Sequence, residues 1–168
     1  MSKTDTYTTP EMELALVQYF DARRNIIVPN VSFGFDIHEC DLLILRPSGH
    51  AIEVEIKISR SDLKKDQKKR HNHHDRKNRI RELWFAVPDY LGDVQDLIPE
   101  RAGIMTIRRS EWNGRLYASK VRDAKAEATA VKLDDQQRLK LTRLGTMRIW
   151  SLKRKIINLN TKLKTTTK

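Results

Sequence analysis

The sequence predicts an α/β domain, with a mixed central sheet flanked by helices and a basic helical extension at its C-terminal end. Two observations carry this. Short apolar runs of strand length at 38–45, 51–58, 83–87 and 103–107 are interleaved with helical patterns at 10–23 and 60–72. The first three strands are joined by short turns and so form an antiparallel meander. The segment between the third and fourth strands is long enough to cross a sheet face and bring the chain back parallel. A chain of 168 residues suits one such domain with a single core.

Each element follows from local chemistry. Residues 1–8 are expected to be disordered. Pro10 suits a first helical turn behind Thr8 or Thr9 as cap, and opens a helix over 10–23. Glu13, Leu16, Val17 and Phe20 fall on one stripe of it, which makes Glu13 an acid on an apolar face. Residues 26–33 read as a strand broken at Pro29-Asn30. The turn Arg46-Pro47-Ser48-Gly49-His50 joins strands 38–45 and 51–58 in a hairpin. Ser59 or Ser61 can cap a helix over 60–72, and Pro88 ends the strand at 83–87. A short helix is expected around 90–97 and a fifth strand at 103–107. Residues 111–133 are ambiguous between a hairpin and a small subdomain. Residues 134–157 form a helix with Leu141, Leu144, Met147 and Ile156 as its apolar members. The expected organisation is a domain over 9–133 and a basic helical extension over 134–168, with 165–168 as a disordered end.

The net charge of +11 is unevenly spread. It is −5 over 1–56, +8 over 57–81, −2 over 82–137 and +10 over 138–168. Basic blocks of this kind suit a polyanion such as nucleic acid. The acidic first segment would repel that polyanion unless it carries a cation. No run approaches the roughly 18 apolar residues of a membrane helix. The first residues lack an apolar signal region, and the lone Cys40 allows no internal disulfide. A cytoplasmic setting is the expectation.

The acidic residues form a pattern. In Glu53-Val54-Glu55-Ile56-Lys57 the alternation of a strand puts Glu53, Glu55 and Lys57 on one face and Ile52, Val54, Ile56 and Ile58 on the other. The hairpin brings Asp41 beside Glu55. Like charges so placed destabilise a sheet unless a cation neutralises them, and a divalent metal together with Lys57 would do that. Taken alone, E-x-E-x-K also describes a solvated sheet face with cross-strand ion pairs.

This arrangement resembles the core of the PD-(D/E)XK nuclease superfamily, the restriction-endonuclease-like fold. That core runs αβββαβ, with an acid on the second strand and (D/E)-x-K on the third. Asp41 matches the first acid, Glu55-Ile56-Lys57 the second part, and Glu13 the first-helix glutamate that many members add. Cys40 stands where the family proline would. The resemblance covers about residues 9–107, and the run from Glu39 to Lys68 is similar to phage and bacterial DNA-repair members. It implies a Mg²⁺- or Mn²⁺-dependent deoxyribonuclease with Asp41, Glu55 and Glu13 as metal ligands and Lys57 as the electrostatic or water-orienting group. Members of the superfamily are often homodimers. Hard carboxylate oxygens suit these ions.

Lys64, Lys65, Lys68, Lys69 and Arg70, directly after the candidate strand, are the expected contacts to phosphate, with the block at 138–168 as a second. Nothing suggests base-specific reading, so selectivity for DNA structure or strandedness is expected. Two other readings remain open: a non-catalytic nucleic-acid-binding protein that retained the fold, and an assembly protein using the basic tail. His71-Asn72-His73-His74 spells HNH without the longer ββα unit of that nuclease class, and lacks the paired spacing of a zinc site. Cys40 alternates away from Asp41 as a core residue. Trp84, Phe85 and Tyr90 read as core, while Trp112 and Trp150 have no assigned place. Trp150 could stack on a base.

Overall fold

The structure is a computed structural model that describes residues 6–32, 35, 37, 39–69 and 78–166. The chain divides into two compact units, Met1–Leu133 and Asp134–Lys168.

The first unit is an α/β fold. Helix α1 (Thr9–Tyr19) is followed by β1 (Ile26–Val31), β2 (Cys40–Leu45) and β3 (Ala51–Ile56), then helix α2 (Arg60–Lys69), β4 (Ile80–Pro88), β5 (Gly103–Arg109) and β6 (Leu116–Arg122). The six strands form one mixed sheet in sequence order. The pairs β1–β2 and β2–β3 are antiparallel, β3–β4 and β4–β5 parallel, and β5–β6 antiparallel. The meander and the parallel return after α2 are thus as the sequence indicates. Residues 111–133, ambiguous in sequence, supply the hairpin strand β6.

Local chemistry sets the boundaries. The Glu11 carboxylate accepts from the Thr8 N–H at 2.8 Å and from Thr8 Oγ1 at 2.7 Å, closing the start of α1 ahead of Pro10. The expected 10–23 helix stops at Tyr19 because Asp21 takes a left-handed φ of 50°. Its Oδ1 then accepts the Arg23 N–H at 3.1 Å. Gly49 holds φ at 90° in the 46–50 turn, where the Arg46 N–H reaches the His50 carbonyl at 3.0 Å. The expected helix around 90–97 is two 3₁₀ turns, Asp89–Leu91 and Gln95–Leu97. At Gly103 any Cβ would run into the Trp84 ring, so the β4–β5 pairing requires glycine there. The disorder expected over 1–8 does not extend to its end. Residues 1–5 lie outside the described residues, whereas Tyr7 is buried and its hydroxyl donates to Asp89 Oδ1 at 3.1 Å.

Apolar residues cover both sheet faces. Met12, Ala15 and Leu16 of α1, with Phe20 directly after it, pack on Leu42, Ile44, Ile52, Val54, Ile56, Trp84, Ala86, Met105 and Ile107. Leu83, Phe85, Val87 and Ile104 pack with Leu63 of α2 and with Val94, Ile98 and Ala102 on the opposite face. Alternation along β3 therefore sends Val54 and Ile56 toward α1, and Glu53 and Glu55 toward the α2 side.

The second unit contains helix α3 (Asp135–Thr166). It runs nine residues past the expected end at 157 and takes in Thr165 and Thr166 of the end expected to be disordered, while 167–168 lie outside the described residues. No glycine or proline interrupts the sequence there, so nothing stops propagation. No described helix is long and apolar enough to cross a membrane.

Candidate active site

The strands β2 and β3 set the site. Leu42 pairs with Val54 and Leu43 with Glu53, so the next step of the register puts Asp41 beside Glu55. Asp41 Oδ2 accepts the Ile56 N–H at 2.7 Å. On the other side of β3 the Lys57 N–H donates to the Ala86 carbonyl at 3.0 Å. The end of β3 is thus gripped from both neighbours.

Glu55 and Lys57 form an ion pair, with Lys57 Nζ 2.7 Å from Glu55 Oε2. Both are buried, at 7% and 8% exposure, and Glu53 beside them is 6% exposed. A solvated face of cross-strand ion pairs does not describe this strand, because all six of its residues are buried. Ile58, expected to continue the apolar face, is instead exposed beyond the strand end.

Charges crowd this point. Burial pushes the Asp41 carboxyl above its usual range against the pull of the Ile56 N–H and Lys57, and Asp62 and Glu39 push it further up. Glu13, half-buried on α1, is raised by burial and then by the negative charge of Asp41. So Glu13, Asp41, Lys57 and Glu55, which the sequence grouped as one site, are linked in the fold: Glu13 through the charge of Asp41, Asp41 through that of Lys57, and Lys57 through its ion pair with Glu55. Asp62 is the residue sequence reasoning missed. An acid in a first helical turn is ordinary, and its position five residues after Lys57 signalled nothing. Cys40 is buried as expected. Burial and the nearby Glu53, Glu55 and Asp41 push its thiol far up, so it is no nucleophile.

The donors fit a hard divalent cation in part. Among the described residues no three of His, Cys, Asp and Glu form a ready metal cage, so Glu13 does not complete a ligand trio with Asp41 and Glu55. Mg²⁺, however, is commonly held by one or two carboxylates plus waters and substrate phosphate. Asp41 and Glu55 are carboxylates of that kind, and the raised Asp41 and Glu13 mark a place where positive charge is favoured.

Of the basic residues assigned to DNA, Lys64 and Lys65 lie exposed on α2. The side chains of Lys68 and Lys69, all of Arg70 and the histidines of 71–74 lie outside the described residues. The start of α2 is fixed by Ser59 Oγ, which accepts the Asp62 N–H at 3.2 Å. Arg60 adds bonds to the Leu91 and Asp93 carbonyls at 2.9 and 2.8 Å. Trp84 and Phe85 are core, but Tyr90 is 41% exposed.

No family model matches the sequence, and no curated protein matches it. Among solved structures, the fold is similar to a protein of unknown function from Silicibacter pomeroyi. That match has 18% identity and a TM-score of 0.60, and covers 93% of this chain and 95% of the other.

Proposed function

We propose that this chain is a metal-dependent nuclease that hydrolyses DNA phosphodiester bonds and selects structure or strandedness over sequence. The observation that carries the reading is the buried Glu55–Lys57 pair at the end of β3, with Asp41 alongside on β2. The restriction-endonuclease-like resemblance, with its acid on the second strand and E-x-K on the third, supports it.

Phosphodiester hydrolysis breaks the bond from phosphorus to a sugar oxygen and forms one to a water oxygen, so negative charge builds on a group already anionic. Lys57 supplies fixed positive charge for that build-up, and Glu55 holds its ammonium in place at 2.7 Å. Asp41, tethered by the Ile56 N–H, lies beside Glu55 across the β2–β3 ladder. Mg²⁺ or Mn²⁺ held by Asp41 and Glu55 would supply Lewis acidity to the phosphate and acidify water beside it. Glu13 and Asp62 add negative charge that strengthens attraction for such an ion. Lys64 and Lys65 on α2 would take flanking phosphates.

One observation favours a second reading, a binding protein without catalysis. Glu55 is already satisfied by Lys57, and the described residues form no three-ligand group. One experiment separates the two. Supercoiled, linear, single-stranded and branched DNA are incubated with the protein, with and without Mg²⁺ or Mn²⁺. Cleavage that needs the ion and disappears in Glu55→Gln is expected. In Lys57→Ala the rate should fall by roughly 10²–10³, the cost of one lost electrostatic donor. Binding with no cleavage, indifferent to the ion and to Asp41→Asn, would establish the second reading instead.

A further inference from the structure

The exposed apolar residues of α3 are regularly spaced. Ile149, Leu152, Ile156, Leu159 and Leu163 follow one another at intervals of three, four, three and four, and each is at least 54% exposed. That is the spacing of a coiled-coil seam, with Ile149 and Ile156 at the a positions and Leu152 and Leu159 at d. Every residue from Ser151 to Lys164 is exposed. At 1.5 Å per residue the seam runs about 21 Å along the helix.

The flanks set the partner. Arg148, Lys155 and Lys162 line one side of the seam at g positions, and Lys153 lies on the other side at e. From residue 138 onward the chain has ten Lys and Arg and no Asp or Glu. A second copy in parallel would set Arg148 against Lys153 of the other helix, twice. A lipid surface fits poorly as well. A face broad enough to take in Trp150 and Ile157 would carry Lys153 and Asn160 into the acyl region. Phosphate contact requires the lysines but leaves five exposed aliphatic chains with no role.

We propose that α3 docks an acidic amphipathic helix of a partner protein as a heterotypic coiled coil. The apolar seam supplies the contact, and acidic e and g positions on the partner meet Arg148, Lys153, Lys155 and Lys162. This is independent of the nuclease reading. Two heptads make a short contact, so it is salt-sensitive and specified by charge.

The test uses the full chain and two synthetic helical peptides of about three heptads with Ile at a and Leu at d. One has Glu at e and g, the other Lys. Sedimentation and fluorescence anisotropy are expected to show one acidic peptide bound per chain, at least about tenfold tighter than the basic one. The affinity should weaken as salt rises. Ile156→Asp, at an exposed position, should weaken binding at least about 100-fold, with the helical circular dichroism of the chain unchanged. Lys153→Glu combined with Lys155→Glu should shift preference toward the basic peptide. The proposal fails if both peptides bind alike, or if Ile156→Asp leaves the affinity intact. It also fails if the chain alone sediments as a dimer that Ile156→Asp dissolves. Ile156-dependent binding of anionic phospholipid vesicles or duplex DNA, without capture of the acidic peptide, would overturn it in favour of those occupants.

Discussion

Asp41 holds a structural and an electrostatic position at once, and two substitutions separate them. Asp41→Asn keeps an oxygen to accept the Ile56 N–H and removes only the charge. Because burial and nearby acids disfavour that charge, the variant should be at least as stable as the parent without metal, yet inactive. Asp41→Ala also strips the acceptor from Ile56, whose N–H then lies unsatisfied at a cost of about 1–3 kcal/mol. Thermal unfolding of both variants beside a cleavage assay checks this, and equal destabilisation by the two would discount the electrostatic part. The spacing of Glu55 and Lys57 was legible in the sequence because a strand repeats every two residues and one face was already apolar. The Asp41–Ile56 bond was not, because it depends on where the β2–β3 ladder gives way to a side chain. Asp62 was illegible for a similar reason. Its relation to Asp41 is made by the path of the chain from β3 into α2.

Among the elements, α2 and the β5–β6 hairpin make separate predictions. Lys64 and Lys65 are exposed on α2, and each phosphate contact contributes about 0.7–0.9 to the slope of log affinity against log salt. The double variant Lys64→Ala, Lys65→Ala should therefore flatten that slope by about 1.4–1.8 with DNA of any sequence. An unchanged slope would remove α2 from the interface. The hairpin tip carries Trp112, 92% exposed, between Arg108, Arg109 and Arg115. As β3, β4 and β5 run parallel, the tip projects from the end of the sheet that also holds Lys57. Stacking on an unpaired base there is worth about 1–3 kcal/mol, so Trp112→Ala should weaken single-stranded DNA binding by that much and leave duplex affinity nearly unchanged. Equal losses on both substrates would contradict a stacking role. This strand was hard to read because β6 alternates weakly, with Leu116 buried but Tyr117 and Val121 exposed. The strands β2 to β5 were readable because continuous apolar runs mark strands buried on both faces.

For the whole molecule, the question is how a chain of net charge +11 keeps raised carboxyls at one point of its first unit. A carboxyl with a higher pKa folded than unfolded is neutral in both states at low pH and contributes no penalty. As pH rises through the unfolded value and then the folded one, ionisation progressively disfavours the folded state. Asp41 and Glu13 both shift in this direction, so their contribution makes the metal-free protein less stable near neutrality than in mild acid. Other groups titrate over the same range, so the comparison that isolates the effect is parent against Asp41→Asn. Near pH 7 the variant should melt at the higher temperature without metal, and the gap should close below about pH 4, where carboxylates protonate in either state. Mg²⁺ or Mn²⁺ should reverse the order near pH 7, because binding to the folded state alone raises stability and the parent keeps the full charge that attracts the ion. A calorimetric series over pH, with and without ion, measures all three. If the parent gains no stability from either ion, or the gap persists in acid, the carboxyl cluster is not a cation site and the case for metal-dependent hydrolysis falls with it.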